Sequence, residues 1–586
     1  MAELRRPSVR SFSARMPFRL KTVMRQAGYR SRAHDLRLRG KHPLRILGTP
    51  KDPWPGDRVA GAHLLAGRFV LNGHVLRHPH HEQGAWAAAE IWSAADLPAP
   101  WQEHLHSFAW LRDLGQAVDR LSARKRAEDL VRGWLDRFES WEELAWRPDL
   151  VGRRLINWLA YAPLIMDTDD LIYRSRVLDS LARQARHLMY ESPTLPEGPD
   201  QIYALAGLAQ AGLYIPHGED WLKRGLNLLV RQLPEEVLPD GGVQSRNPED
   251  VLRLLKALVM LKTSLKAMGH DVPDEVEAAL GRLGGLLRLL RHGDGRLALF
   301  NGASERSEQE VDALLSRLVP VSEPAQDALQ GGFRRLEKNG TCLIVDSGPP
   351  AFTPLSRRCH AGTLSFELSS RAMRIIVNCG SGAGVLPGEG SRGDADLFDL
   401  SRTTAAHSTL VVENRNSAEL LDNGLIGAGP TVATSRRIEE RGDVLLELSH
   451  DGYVSRFGRK HWRLIYMNGA GDDIRGEDIL EQVSGRAEPV TADIRFHVHP
   501  AVNAHLMDHV GKRTAGAEEA GRKVRLRLVN DEVWLFQARG AHLRLEDSIY
   551  LGTPGRVQQT RQIVLSTRID GPQQAVKWSI RRIMDA

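Results

Sequence analysis

Cysteine is scarce in this chain: 586 residues contain three, at positions 342, 359 and 379. Three cysteines cannot make a disulfide framework, and their spacing fits no zinc motif, so the fold must rest on its hydrophobic cores. Long apolar runs are missing as well. None approaches the ~20 residues of a membrane span, and the first residues lack the apolar core of a secretory signal, so this reading expects a cytoplasmic chain. A Walker loop, a dinucleotide fingerprint and a Gly-x-Ser-x-Gly elbow are absent, which sets aside nucleotide-binding and serine-hydrolase readings. No repeat of fixed period is present.

What is present is an ordinary globular composition at a length that predicts two or three domains. The net charge of +6 is largely local: residues 1–45 hold thirteen Lys or Arg against Glu3 and Asp35. Within this arm, Met16–Arg25 has the composition of a basic amphipathic helix suited to peripheral contact with an anionic membrane surface. A solvated tail is the plainer alternative. No nucleic-acid recognition motif accompanies the charge, so no nucleic-acid partner is expected.

From Trp101 to Leu318 apolar residues recur at helical spacing. The predicted helices are Trp101–Leu121, Ala123–Phe138, Asp149–Ile165, Asp169–Tyr190, Asp200–Tyr214, Glu219–Leu233, Glu249–Met268 and Pro273–His292, several opened by an aspartate that can cap free backbone amides. After Gly331 the pattern changes to short, β-branched, alternating runs separated by Gly, Asn and Asp, the pattern of an antiparallel all-β domain. The expected organisation is a basic arm (1–45), an all-helical domain (46–325) and a large antiparallel β-sandwich (326–586). A Gly/Ser/Asp-rich interval at 380–400 reads as the rim of a cleft.

Two segments carry most of the remaining information. Cys359-His360-Ala361-Gly362-Thr363-Leu364-Ser365-Phe366-Glu367 and Arg402-Thr403-Thr404-Ala405-Ala406-His407-Ser408-Thr409-Leu410 each set a histidine ahead of a strand-like run. With Leu65-Ala66-Gly67-Arg68-Phe69, Trp146-Arg147-Pro148-Asp149, Arg153–Leu159, Leu238–Gly242 and Phe496–Pro500, they give the chain a pattern that resembles the heparinase II/III family of polysaccharide lyases.

The resemblance implies an (α/α) toroid followed by a layered β-sandwich, and β-elimination on a uronic-acid glycan such as a glycosaminoglycan or alginate. That reaction needs a group to neutralise the uronate, a base for the C5 proton and an acid for the glycosidic oxygen. The resemblance makes His360 the catalytic histidine. Asn157 and Arg246 become the uronate neutralisers, and Tyr203 stands in as acid/base where the family's usual tyrosine and Asn-His pair are missing. Arg154, Trp158, Gln244, Asn247, His407 and Arg402 are the expected substrate contacts. Relatives bind a structural metal beside the position of His407, but Gly362 and Asn378 stand where acidic ligands are needed, so no metal and no other cofactor is expected. Family members are commonly exported to the cell envelope or periplasm, against the cytoplasmic reading. An acidic poly- or oligosaccharide is the implied partner. A non-catalytic glycan-binding or envelope-associated protein on the same fold is the alternative.

Overall fold

A computed structural model describes residues 2–5, 29, 32–81, 83–94, 97–192, 195, 197–319, 325–351, 355–386, 396–485, 488–507 and 522–583. The basic stretch Met16–Arg25 and part of the rim interval, 387–395, lie outside the described residues. Among the described residues no helix is long and apolar enough to cross a membrane.

The helical part follows from its apolar spacing. Asp119 accepts the amides of Leu121 and Ser122 and opens the helix Arg120–Phe138, which buries Ala123, Ala127, Leu130, Val131, Trp134, Leu135 and Phe138 on one face. The helix Pro199–Tyr214 is buried on nearly every side and packs between Pro148–Ala160 and Glu219–Glu236. Two glycines permit the first of these contacts: a Cβ on Gly207 would lie 2.4 Å from the Cα of Gly152. Only glycine pairs allow backbones so close.

The predicted helix Trp101–Leu121 is broken instead into Ala99–Ser107 and Leu111–Leu114. Phe108 ends the first piece in a left-handed conformation, φ 57°. Its ring fills an aromatic cluster with Trp92, Trp110, Trp134 and Trp158, and burial of that ring outweighs helical continuity.

The strands form two large antiparallel sheets. One runs Ala2–Arg5, Val432–Glu440, Asp443–His450, Arg459–Met467, Asp473–Gln482, Gln573–Ile583, Val533–Arg539, Lys523–Arg527 and Asn503–Met507. The other runs His542–Tyr550, Gln558–Ile569, Val490–Val498, Met373–Val377, Phe366–Ser370, Thr341–Asp346, Phe333–Lys338 and Asp327–Ala328, with Leu410–Val412 paired to Val490–Val498. They face each other across one core, where Phe366 of the second sheet stacks on Trp578 of the first at 5.5 Å. A separate hairpin, Phe69–Leu71 and His74–Leu76, belongs to the helical part. The first strand was not expected in the basic arm; it pairs residues 2–5 with Ser435–Val432.

A buried polar chain threads the sandwich. The Gly452 amide donates to His450 Nδ1 at 3.0 Å, so His450 carries its proton on Nε2 and donates to His461 Nδ1 at 3.1 Å. His461 Nε2 then donates to Asp478 at 2.8 Å. Asp478 also receives both arms of Arg463, at 2.7 and 3.1 Å, and the Trp578 indole at 2.9 Å.

Helices and sandwich are joined by side chains that spend their hydrogen bonds across the junction. Arg335 donates to the carbonyls of Leu289 and Arg291. His292 bridges Glu367 and Ser369. Trp101 and Asn72 hold the rim segment through the carbonyls of Gly384 and Ala383.

Candidate functional site

The two histidines singled out in the sequence meet. Arg402 brings their segments together: its guanidinium donates to the carbonyls of Cys359 and Gly424, and its own carbonyl accepts the Ala361 amide at 2.9 Å. His407 Nδ1 lies 2.7 Å from the Thr403 carbonyl. A carbonyl only accepts, so Nδ1 bears the proton. Burial lowers His407 to about 4, against the Thr403 contact that favours the charged form, so the ring is neutral and Nε2 is a lone pair. That lone pair sits 3.1 Å from His360 Nδ1, which must therefore donate. The remaining nitrogen, His360 Nε2, is a buried lone pair with no hydrogen-bond partner among the described residues. Burial first, then the neighbouring His407 and Arg402, hold His360 well below its ordinary pKa. The ring is an acceptor in waiting.

Gly362 is what lets the pair form, since a Cβ there would lie 2.6 Å from His407 Cδ2. The residues present do not fit the metal implied at this position. Gly362 offers no ligand, and both His407 nitrogens are engaged. The Asn378 side chain is committed as well, accepting the Ser408 amide and donating to Glu367.

The helix Pro148–Ala160 presents Asp149, Arg153 and Asn157 at four-residue spacing on one face. An ion-pair chain runs from this helix into the sandwich. Arg147 grips Asp149 (2.6 and 3.0 Å) and Glu103 (2.9 Å). Glu103 receives Arg358 at 3.1 Å, and Arg358 reaches Asp250 at 3.3 Å. Arg153 pairs with Asp200 at 3.1 Å and Asp149 at 3.6 Å, and lies 4.4 Å over the Tyr203 ring.

The electrostatics follow from this crowding. Burial alone would raise Glu103, but Arg358, Arg147 and Arg153 outweigh it and hold the carboxyl at about 2. Asp200, with its side chain 61% exposed, pairs with Arg153 at the solvent edge of this cluster. Tyr203 is raised well above 10 by burial, so its phenol stays neutral, and its hydroxyl is buried without a partner among the described residues. The depressed Glu103 implies an acid-labile junction. Its contribution is complete above its ordinary pKa of 4.5 and is lost as pH falls toward about 2. Wild type should lose stability across that window in denaturant titrations, and Glu103→Gln should flatten the slope.

The other sequence candidates divide. Arg246 and His360 converge through Asn301, whose amide donates to the Arg246 carbonyl at 3.3 Å and whose oxygen receives the His360 amide at 3.4 Å. The Arg246 guanidinium, however, is turned away into the domain junction, donating to the carbonyls of Gly331, Gly332 and Pro349 and pairing with Asp346. Four of its five N–H donors are spent there. Arg154 is likewise a core residue: it donates to Gln184, the His106 carbonyl and the Ala145 carbonyl, beneath Trp134. Trp158 does not stack on sugar, because it is wholly buried against Phe108 and Trp134. Asn157 donates to the Ser107 carbonyl at 2.9 Å. Asn247 caps the helix Pro248–Ala267 through the Glu249 amide, and Gln244 donates to the Glu235 carbonyl. Arg402 and His407 act on the protein rather than in the open cleft. Arg358 was missed, although it stands two residues before His360. Glu103 gives no sequence signal, since only the fold carries it there.

The helical part and the β-sandwich thus meet with a histidine pair between them. Residues 320–579 match the family model described as Heparinase II/III-like, C-terminal. It is 28% identical over 554 residues to FtsZ-localized protein C of Caulobacter vibrioides, covering 92% of this chain and 90% of that protein. Among solved structures, heparinase III superposes with a TM-score of 0.70 at 14% identity, covering 94% of this chain and 89% of the other. A mutant of the heparan sulfate lyase HepC from Pedobacter heparinus gives 0.59 at 14% identity, covering 92% and 86%. At such identities the likeness is one of fold.

Proposed function

We propose that this protein acts alongside FtsZ on a lyase-like fold, rather than cleaving acidic glycans. The carrying observation is the state of the cleft arginines. Arg147, Arg153 and Arg358 are each closed onto carboxylates drawn from Glu103, Asp149, Asp200 and Asp250. β-Elimination needs unspent positive charge or hydrogen-bond donors at the uronate, because neutralising that carboxylate is what makes the C5 proton acidic. Here three guanidiniums face four carboxylates. A polyanion would have to displace carboxylates already paired with these guanidiniums. The nearly full-length similarity to a protein named for its localization with FtsZ supports a place beside FtsZ.

A second reading, eliminative cleavage, rests on the two unpartnered buried groups. The His360 Nε2 lone pair has the form of a base, and the neutral Tyr203 hydroxyl that of an acid. One experiment separates the readings. Purified protein is incubated with heparan sulfate, chondroitin sulfate and alginate while the ultraviolet absorbance of unsaturated uronate is followed. Sedimentation with FtsZ polymers is measured in parallel. We expect no absorbance above a His360→Ala control, together with co-sedimentation. Product that disappears in both His360→Ala and Tyr203→Phe would overturn the proposal and establish the lyase.

A further inference from the structure

The sequence reading expects no metal, and the histidine pair at the junction offers no site for one. A different cluster does. Beyond the hairpin, Arg77-His78-Pro79-His80-His81 turns back on itself: the His78 amide donates to the Gly84 carbonyl at 2.9 Å, and the Gly84 amide to the His81 carbonyl at 2.7 Å. The turn sets the His78 and His81 rings edge to face at 4.1 Å. Glu90 faces them from the next segment, its Oε2 3.7 Å from His81 Nε2. One ligand atom from each of His78, His81 and Glu90 lies within 4.8 Å of the other two.

We propose that these three side chains form a site for a divalent transition metal of the zinc class. Two imidazoles and a carboxylate are the donor set zinc favours, at bond lengths of about 2.0–2.2 Å. Calcium and magnesium prefer all-oxygen shells, so they are disfavoured. Ligands on a tetrahedral zinc stand about 3.3 Å apart, and rotamer adjustments of exposed side chains cover the remaining distance.

Both ends of the site are anchored. The Trp86 ring packs on His78 at 4.5 Å, and Glu90 is followed directly by Ile91 and Trp92, both buried in the helical core. His78 Nδ1 now accepts the His80 amide at 3.1 Å. Ligation through that lone pair, or through Nε2 once the proton has moved to Nδ1, exchanges an exposed local contact for a metal bond. Water or the adjacent His80 completes the shell. A cation here would clamp the exit of the hairpin whose Asn72 holds the cleft rim at Ala383.

The test uses the full-length protein washed with chelator, titrated with zinc chloride by calorimetry and with cobalt chloride by visible absorption. Wild type is expected to bind one zinc per chain, to show the absorption of tetrahedral cobalt, and to melt at a higher temperature with zinc. His81→Ala and Glu90→Gln should each weaken binding at least tenfold. His270→Ala, an exposed histidine elsewhere, should leave it unchanged. Both cluster residues are on the surface, and thermal melts without zinc check that the variants fold. Failure of wild type to bind, or equal binding by wild type and the His81→Ala/Glu90→Gln double variant, would overturn the proposal. So would calcium or magnesium displacing zinc at equal concentration.

Discussion

Alanine at Arg246 is expected to lower the unfolding free energy by about 3–5 kcal/mol, the usual cost of removing one partner of a buried ion pair. The loss should show as a shift of the denaturant midpoint, with no glycan present. The substitution strands Asp346 and leaves the carbonyls of Gly331, Gly332 and Pro349 without their donor. Burial already raises Asp346 despite the pull of Arg246. Without the guanidinium the carboxyl should rise further, and its ionised form would be penalised in the fold. The deficit of the variant should therefore grow as pH climbs above the ordinary carboxylate range. Arg246→Lys should recover little, since an ammonium cannot span four acceptors as a planar fork does. A residue serving only a substrate would show the opposite pattern, with stability unchanged and binding lost.

Asp478→Asn should be at least as damaging. The carboxylate is the terminus for Arg463, His461 and Trp578, and an amide in its place sets one donor against donors while leaving Arg463 charged and buried. We expect a loss of about 3–5 kcal/mol by chemical denaturation. Converting both partners to apolar residues, Arg463→Met with Asp478→Leu, removes the charge penalty but strands His461, Trp578 and the carbonyls of Leu364 and Ser408, so recovery should be partial. The protons of the His450–His461 chain run in one direction toward Asp478, and the single variant leaves one oxygen where His461, Arg463 and Trp578 shared two.

The helical part was legible because its signal is local. Asp119 and Asp170 cap the helices their neighbours predict, and apolar spacing places the helices from Arg120 to Leu289 within a few residues of their ends. The break at Phe108 was not, since a left-handed residue there is imposed by an aromatic cluster assembled from distant segments. A strand is legible where apolar and β-branched residues run together, as in Thr341–Asp346, buried at every position. In His542–Tyr550 and Asp473–Gln482 charged residues interrupt the pattern.

The candidate site was half legible. His360 and His407 stand on the page as a pair, and their tautomers follow from one carbonyl, that of Thr403. Arg154, Trp158 and Arg246 have the composition of a substrate site but are core and junction residues. Sequence names the side chain without saying which acceptors the fold will put in front of it.

The strand Ala2–Arg5 lies along Val432–Ser435 and covers the outer edge of the first sheet. An open edge is a template for further pairing, and this one is shielded by a single short segment. Two copies of the chain could therefore exchange these segments, each strand seating in the other's register with the same backbone hydrogen bonds. The balance between self-capping and exchange would then depend on protein concentration, and a chain shortened past residue 5 would leave that edge free to join with another.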